Sequence, residues 1–155
     1  MELTVLYQRN GFRYGPGEYI SLSCQLMRRN NMLSKARLQT IICTTRPVQA
    51  QTFYTDTLGL TLKGISDGAL VFDVGGAELR VSPVPSLSPG EHTVVGFAVP
   101  DVDQCVARLK EKGVGMERFD GFPHETNGTM ATPDGSRVAW FRDPDGNLLS
   151  VVQFR

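Results

Sequence analysis

The sequence predicts an α+β fold in which two βαβββ modules curve a mixed sheet around a cup-shaped cavity. The first observation is a short apolar strand, Gln39-Thr40-Ile41-Ile42-Cys43-Thr44, followed by a helix that closes on Leu58-Gly59. The second is a matching strand, Val94-Val95-Gly96-Phe97-Ala98-Val99, followed by a helix that closes on Lys112-Gly113. The third is that the two strands align without a gap at an offset of 55 residues, Gln39 onto Val94, and both helices lead into further strand-like runs. A duplicated unit that gathers two half-sites around one hollow builds a pocket.

In the first module, about residues 38–83, Thr44-Thr45-Arg46-Pro47 starts the helix, with Thr hydroxyls available to cap and Pro tolerated in the first turn. Val48, Phe53, Tyr54 and Leu58 form its apolar stripe, and Gly59 stops it. Leu60–Ile65, Ala69–Val74 and Ala77–Val81 read as strands joined by Asp67-Gly68 and Gly75-Gly76 turns. The Pro- and Ser-rich run 83–91 is the linker. In the second module, about 93–154, Asp101 caps a helix whose buried stripe is Val102, Cys105, Val106 and Leu109. Gly115–Phe119 reads as a short strand and Phe122–Thr132 as a polar loop. Ser136–Arg142 and Leu148–Phe154 form a final pair around Pro144-Asp145-Gly146.

The bulk properties exclude several functions. A chain of 155 residues fits one domain, placed at 36–155. Sixteen basic residues balance sixteen acidic ones, so no net field recruits nucleic acid or an anionic membrane. Apolar runs are strand-sized, which argues against a membrane span. Cys24, Cys43 and Cys105 are odd in number and far apart, which favours reduced thiols and a cytoplasmic setting. Residues 1–35 carry Arg9, Arg13, Arg28, Arg29 and Lys35 against Glu2 and Glu18. They read as a peripheral extension: an Arg-rich leader or, preferred because the repeat is complete from about Leu38, sequence upstream of a start at Met32. Tyr19–Met27 is too short and polar for a secretory core.

Alternation along a strand assigns the faces. Val95, Phe97 and Val99 go under the helices, as do Leu149, Val151, Ala77, Leu79 and Val81. Gln39, Ile41, Cys43, Glu78, Arg80, Val94, Gly96, Ala98, Leu148, Ser150 and Val152 then face the hollow. Trp140, the only tryptophan, fits either side.

These residues resemble the vicinal oxygen chelate superfamily of glyoxalases, bleomycin-resistance proteins, fosfomycin-resistance enzymes and ring-cleaving dioxygenases. The resemblance covers about Leu38–Phe154. It is carried by Phe53-Tyr54-Thr55-Asp56-Thr57-Leu58-Gly59-Leu60, similar to the family's helix ending, and by the turn Asp143-Pro144-Asp145-Gly146-Asn147. In metal-dependent members it implies four ligand slots, which fall here on Gln39, Glu78 (or, shifted by two, Arg80), Val94 and Ser150. Val94 has no donor atom and Ser150 only a neutral hydroxyl, whereas such ions draw on imidazole and carboxylate. No metal and no other cofactor is therefore expected. His92, two residues from Val94, is the residue that would restore an imidazole.

Three functions remain in view. The favoured one is a metal-free small-molecule binding protein of the bleomycin-resistance type, with Gln39, Ile41, Cys43, Glu78, Arg80, Val94, His124, Trp140 and Ser150 contacting the ligand. A lyase, isomerase or dioxygenase-like enzyme with a divergent site would use Glu78 as its base. The third is a structural or regulatory module with a vestigial cup. His124-Glu125 looks like a catalytic pair, but neighbours on an extended chain point to opposite sides, and a rim contact fits His124 better. Cys43 lacks an identifiable base. The resemblance also implies a homodimer.

Overall fold

The computed structural model describes residue 33 and residues 35–155, and the fold occupies Arg37–Arg155 as one unit. Cys24, Tyr19–Met27 and nearly all of the expected extension lie outside the described residues.

The first module runs β1 (Gln39–Thr44), α1 (Pro47–Thr52), one π-helical turn (Phe53–Thr57), β2 (Thr61–Ser66), β3 (Ala69–Val74) and β4 (Ala77–Pro83). The second runs β5 (Thr93–Ala98), α2 (Val102–Glu111), β6 (Met116–Glu117), β7 (Met130–Ala131), β8 (Arg137–Arg142) and β9 (Leu148–Gln153). The α+β class and the duplicated plan are as predicted. The mixed strands form one sheet per module, ordered β1-β4-β3-β2 and β5-β9-β8-β6, with β7 added against β8. In each, the first strand of the module pairs parallel with its last, and the others pair antiparallel. Among the described residues no strand of one sheet pairs with the other, so β1 and β5 both end as edges.

Local chemistry explains most boundaries. Asp67 and Gly68, at φ 50° and 80°, form the paired left-handed turn that suits the twist of β2 and β3. Asp101 Oδ1 accepts from Gln104 N at 2.9 Å and starts α2. Its buried stripe is Val102, Val106 and Leu109, with Cys105 half-buried beside it and its thiol pushed up by burial. The start of α1 differs from expectation. Arg46 is its N-cap residue and makes no side-chain cap, while Thr44 Oγ1 accepts from Arg46 N at 2.9 Å. Val48 is 75% exposed, because it sits two residues before the buried Ala50 and so about half a turn away from it. Ala50 takes its place in the stripe, where Tyr54 is buried and Phe53 and Leu58 pack half-buried against the core as expected.

The helix-facing sides of both sheets share one core. Ile42, Phe72, Leu79 and Val81 from the first sheet join Ala139, Phe141, Leu149 and Val151 from the second, with Tyr54, Val106 and Leu109 from the helical segments. Leu79 and Val81 are buried as alternation predicts, whereas Ala77, at the hairpin end of β4, is exposed. Val95, Phe97 and Val99 pack against this core as expected.

Candidate ligand-binding site

The two motifs that carry the resemblance meet each other. The loop between β8 and β9 is built around Asp143, which is 6% exposed. Its carboxylate accepts from the backbone N–H groups of Asp145 (3.0 Å) and Asn147 (2.9 Å), from Asn147 Nδ2 (2.8 Å) and from the Tyr54 hydroxyl (2.9 Å). Burial, and after it the Asp143 charge, pushes the Tyr54 hydroxyl far above its ordinary range, so it stays a neutral donor. Asn147 Nδ2 also donates to the Cys43 carbonyl at 3.0 Å. The Asp145 carboxylate accepts from Thr44 Oγ1, from Thr45 N at 2.8 Å and from Thr45 Oγ1 at 2.7 Å. Arg46 donates to the Pro144 carbonyl at 3.1 Å. The turn of the second module is thereby clasped onto β1 and α1 of the first.

Burial acts to raise Asp145, but the hydrogen bonds from Thr44 and Thr45 and the Arg46 charge outweigh it and hold the carboxyl below its usual range. A carboxyl lowered on folding stabilises the fold above the unfolded value and loses that contribution as pH falls through the folded one. Asp145→Asn is therefore expected to cost about 1 kcal/mol near neutral pH, discounted for partial exposure. The deficit should begin to close as pH falls below about 4, the ordinary carboxyl value, and disappear once pH has fallen through the lowered folded value. Parallel thermal melts from pH 7 to pH 2.5 check this, and a deficit independent of pH would contradict it.

On the outer face of the first sheet, Gln39 and Glu78 are partners across β1 and β4, as are Ile41 and Arg80, then Cys43 and Ser82. Gln39 Nε2 donates to Glu78 Oε1 at 2.6 Å, and Arg80 Nη1 lies 3.8 Å from the same oxygen. Arg80 Nη2 also donates to the Ser66 carbonyl at 3.1 Å. Beside this polar row Ile41 is 58% exposed and Cys43 half-buried. Glu78 is thus held by a donor and a cation of its own sheet.

The second sheet presents a different surface. Trp140 is the partner of Ser150 across β8 and β9, and Ser150 of Gly96 across β9 and β5, so the three share one row. Trp140 therefore lies on the hollow side, which settles the ambiguity left by its sequence context. Its Nε1 donates to Thr93 Oγ1 at 3.1 Å. Because β9 lies between β8 and β5, the indole must cross β9 to make that bond. Leu148 and Ser150, the β9 residues along that path, are buried.

One expectation about this face changes. The β5–β9 register slips between Thr93 and Val95, so that Thr93 stands opposite Leu148 and Val95 opposite Leu149. Val94 is left without a β9 partner and 37% exposed. Thr93 takes the place on the hollow side that strict alternation gives to Val94. The exposed His92 folds back over Gly90, where an added Cβ would lie 2.7 Å from its ring.

The loop after β6 adds three more rings. Phe119 meets Trp140 edge-to-face at 5.5 Å, and His124 meets it at 6.0 Å. Phe122, 55% exposed, packs against Phe119 and His124 at 6.4 and 6.5 Å. His124 is fixed by its loop. Nε2 accepts from Phe119 N at 3.0 Å, which leaves Nδ1 to carry the proton towards the Gly128 carbonyl at 3.3 Å. Glu125 turns elsewhere, to Arg137 Nη2 at 2.8 Å. Arg137 also grips Asp103 and holds that carboxyl below its usual range. His124 and Glu125 therefore work separately. Sequence reasoning missed Thr93, Phe119 and Phe122; the spacing Phe119-x-x-Phe122-x-His124 was the available hint.

The donor set at the four family slots does not fit a divalent ion. Glu78 is the one carboxylate and already takes the Gln39 Nε2 hydrogen bond, Gln39 has only a neutral amide oxygen to add, Val94 has no donor, and Ser150 offers a neutral hydroxyl in the row of the indole. Among the described residues no group of three or more His, Cys, Asp or Glu side chains is placed to hold a metal. No helix among them is long and apolar enough to cross a membrane.

Paired βαβββ modules clasped through these two motifs define a class, and residues 37–151 match the Glyoxalase/Bleomycin resistance protein/Dioxygenase superfamily. The chain belongs to that superfamily. It is 30% identical over 116 residues to the uncharacterized protein YraH of Bacillus subtilis (strain 168), across 65% of this chain and 84% of that one. It is similar in structure to TnmS3, an antibiotic binding protein from Streptomyces sp. CB03234, with 26% identity, a TM-score of 0.58 and coverage of 77% and 95% of the two chains. Lactoylglutathione lyase from Agrobacterium tumefaciens shares the fold at 20% identity, with a TM-score of 0.61 and coverage of 77% and 93%.

Proposed function

We propose that this protein binds a flat, partly aromatic small molecule without a metal and without chemical turnover, in the manner of a drug-sequestering protein. The observation that carries the reading is the Trp140 indole spread across the hollow face of the second sheet, with Phe119 and His124 against it. Flat apolar walls with a few convergent polar groups suit such a ligand. Gln39, Glu78 and Arg80 supply the polar end and Ile41 the apolar one. The likeness to an antibiotic binding protein supports the same assignment. The cup is completed by a second copy of the chain: among the described residues β1 and β5 are edge strands, and Ile41 and Val94 stand exposed on or beside them.

A fluorescence titration tests the reading, because Trp140 is the only tryptophan and reports on its own wall. A panel of aromatic antibiotics should contain a member that saturably quenches it. A hundredfold excess over its dissociation constant should stabilise the fold by about 2.7 kcal/mol. Sedimentation of that complex should give twice the chain mass. A panel without response, alongside stoichiometric uptake of Zn²⁺, Ni²⁺, Mn²⁺ or Fe²⁺, would defeat the reading, and a monomeric complex would defeat its dimeric part.

A further inference from the structure

The register slip in β5 changes what that strand offers to the hollow. Continued backward from Val95 opposite Leu149, a regular ladder would set Val94 opposite Leu148; the slip sets Thr93 there instead. A hydroxyl thus replaces an isopropyl group at a place the Trp140 ring can reach. An indole N–H is a donor only, so a fixed acceptor beside it sets the direction in which the ring lies. Thr93 Oγ1 is the acceptor that the structure supplies, at 3.1 Å. Gly96 completes the fit, since a Cβ there would lie 2.8 Å from Ser150 Oγ in the same cross-strand row.

We infer that Thr93 is a positioning residue: its hydroxyl pins the Trp140 indole across β9 and so fixes the ring face on which a flat ligand stacks. The inference rests on the ligand-binding reading for its purpose but not for its geometry. One end of the indole is held by Thr93. Phe119 and His124 press on it from the loop, where the His124 ring is itself secured to Phe119 N and the Gly128 carbonyl. Without the hydroxyl the indole keeps its packing and loses its directional tie.

The test compares Thr93→Val, which keeps the shape and β-propensity of the side chain, with Thr93→Ser, which keeps the hydroxyl. Thr93 is exposed and both variants should fold, as circular dichroism will show. Acrylamide quenching of the single tryptophan should increase in Thr93→Val, with a shift in emission maximum, and return to the parent value in Thr93→Ser. The antibiotic that saturates the parent protein should bind Thr93→Val about fivefold more weakly, the scale of one net hydrogen bond, and bind Thr93→Ser normally. Quenching in Thr93→Val equal to that of the parent would overturn the inference, as would equal losses in both variants. A changed quenching signature in a protein that binds none of the antibiotics would uphold the positioning role and defeat the ligand reading instead.

Discussion

Asp143→Ala is expected to destabilise the protein more than any other single change at its surface loops, by about 3–5 kcal/mol. The carboxylate satisfies four donors at once, from Tyr54, Asn147 (side chain and backbone) and Asp145. Its loss leaves the fully buried Tyr54 hydroxyl and the buried Asn147 amide short of an acceptor, and each orphaned donor costs about 1–3 kcal/mol. The melting temperature should fall by roughly 10–20 °C. Tyr54→Phe should cost far less, about 1 kcal/mol, because Asp143 keeps its other donors. Differential scanning calorimetry of both single variants and of the double variant measures the coupling. A small, additive loss for Asp143→Ala would show that the clasp contributes little.

Trp140→Ala should have the largest effect on ligand affinity, a loss of about a hundredfold, equivalent to roughly 2.7 kcal/mol and typical of a central aromatic anchor. Calorimetric titration replaces fluorescence here, since the variant has no tryptophan. Part of the change will appear in stability, because the indole packs against Phe119 and His124. Trp140→Phe separates the two effects: it retains a ring over β9 but cannot donate to Thr93. Its affinity should fall between those of the parent and Trp140→Ala. Equal binding by all three proteins would remove Trp140 from the site.

The architecture was largely legible because period-two alternation is clear where one face is wholly apolar. Leu79 and Val81 on β4, and Leu149 and Val151 on β9, could be placed under the helices on that basis, and they are buried there. The hollow side was harder. In Thr93-Val94-Val95 two adjacent valines follow the threonine, and nothing in that run says which of them keeps step with the rest of β5, so the register change could not be read from the pattern. Trp140 was ambiguous for a related reason: Val138 flanks it on one face, while Ala139 and Phe141 form an equally apolar opposite face. The aromatic loop depends on contacts between Phe119, His124 and a strand some twenty residues away, which no local rule encodes. Alternation put Gln39, Glu78 and Arg80 on one face, and the parallel pairing of β1 with β4, which was not read from the sequence, sets Gln39 beside Glu78 and Ile41 beside Arg80.

The clasp has a bearing on how relatives of this chain are recognised. Tyr54, Asp143, Asp145 and Asn147, four polar residues of the two signature segments, are spent on one another and on Cys43, Thr44 and Thr45. Hydrogen bonds that join the modules occupy these four side chains, so the two segments account for assembly and not for what the hollow holds. Matching the two segments therefore reports that two modules are joined and leaves the bound molecule to be read from other residues.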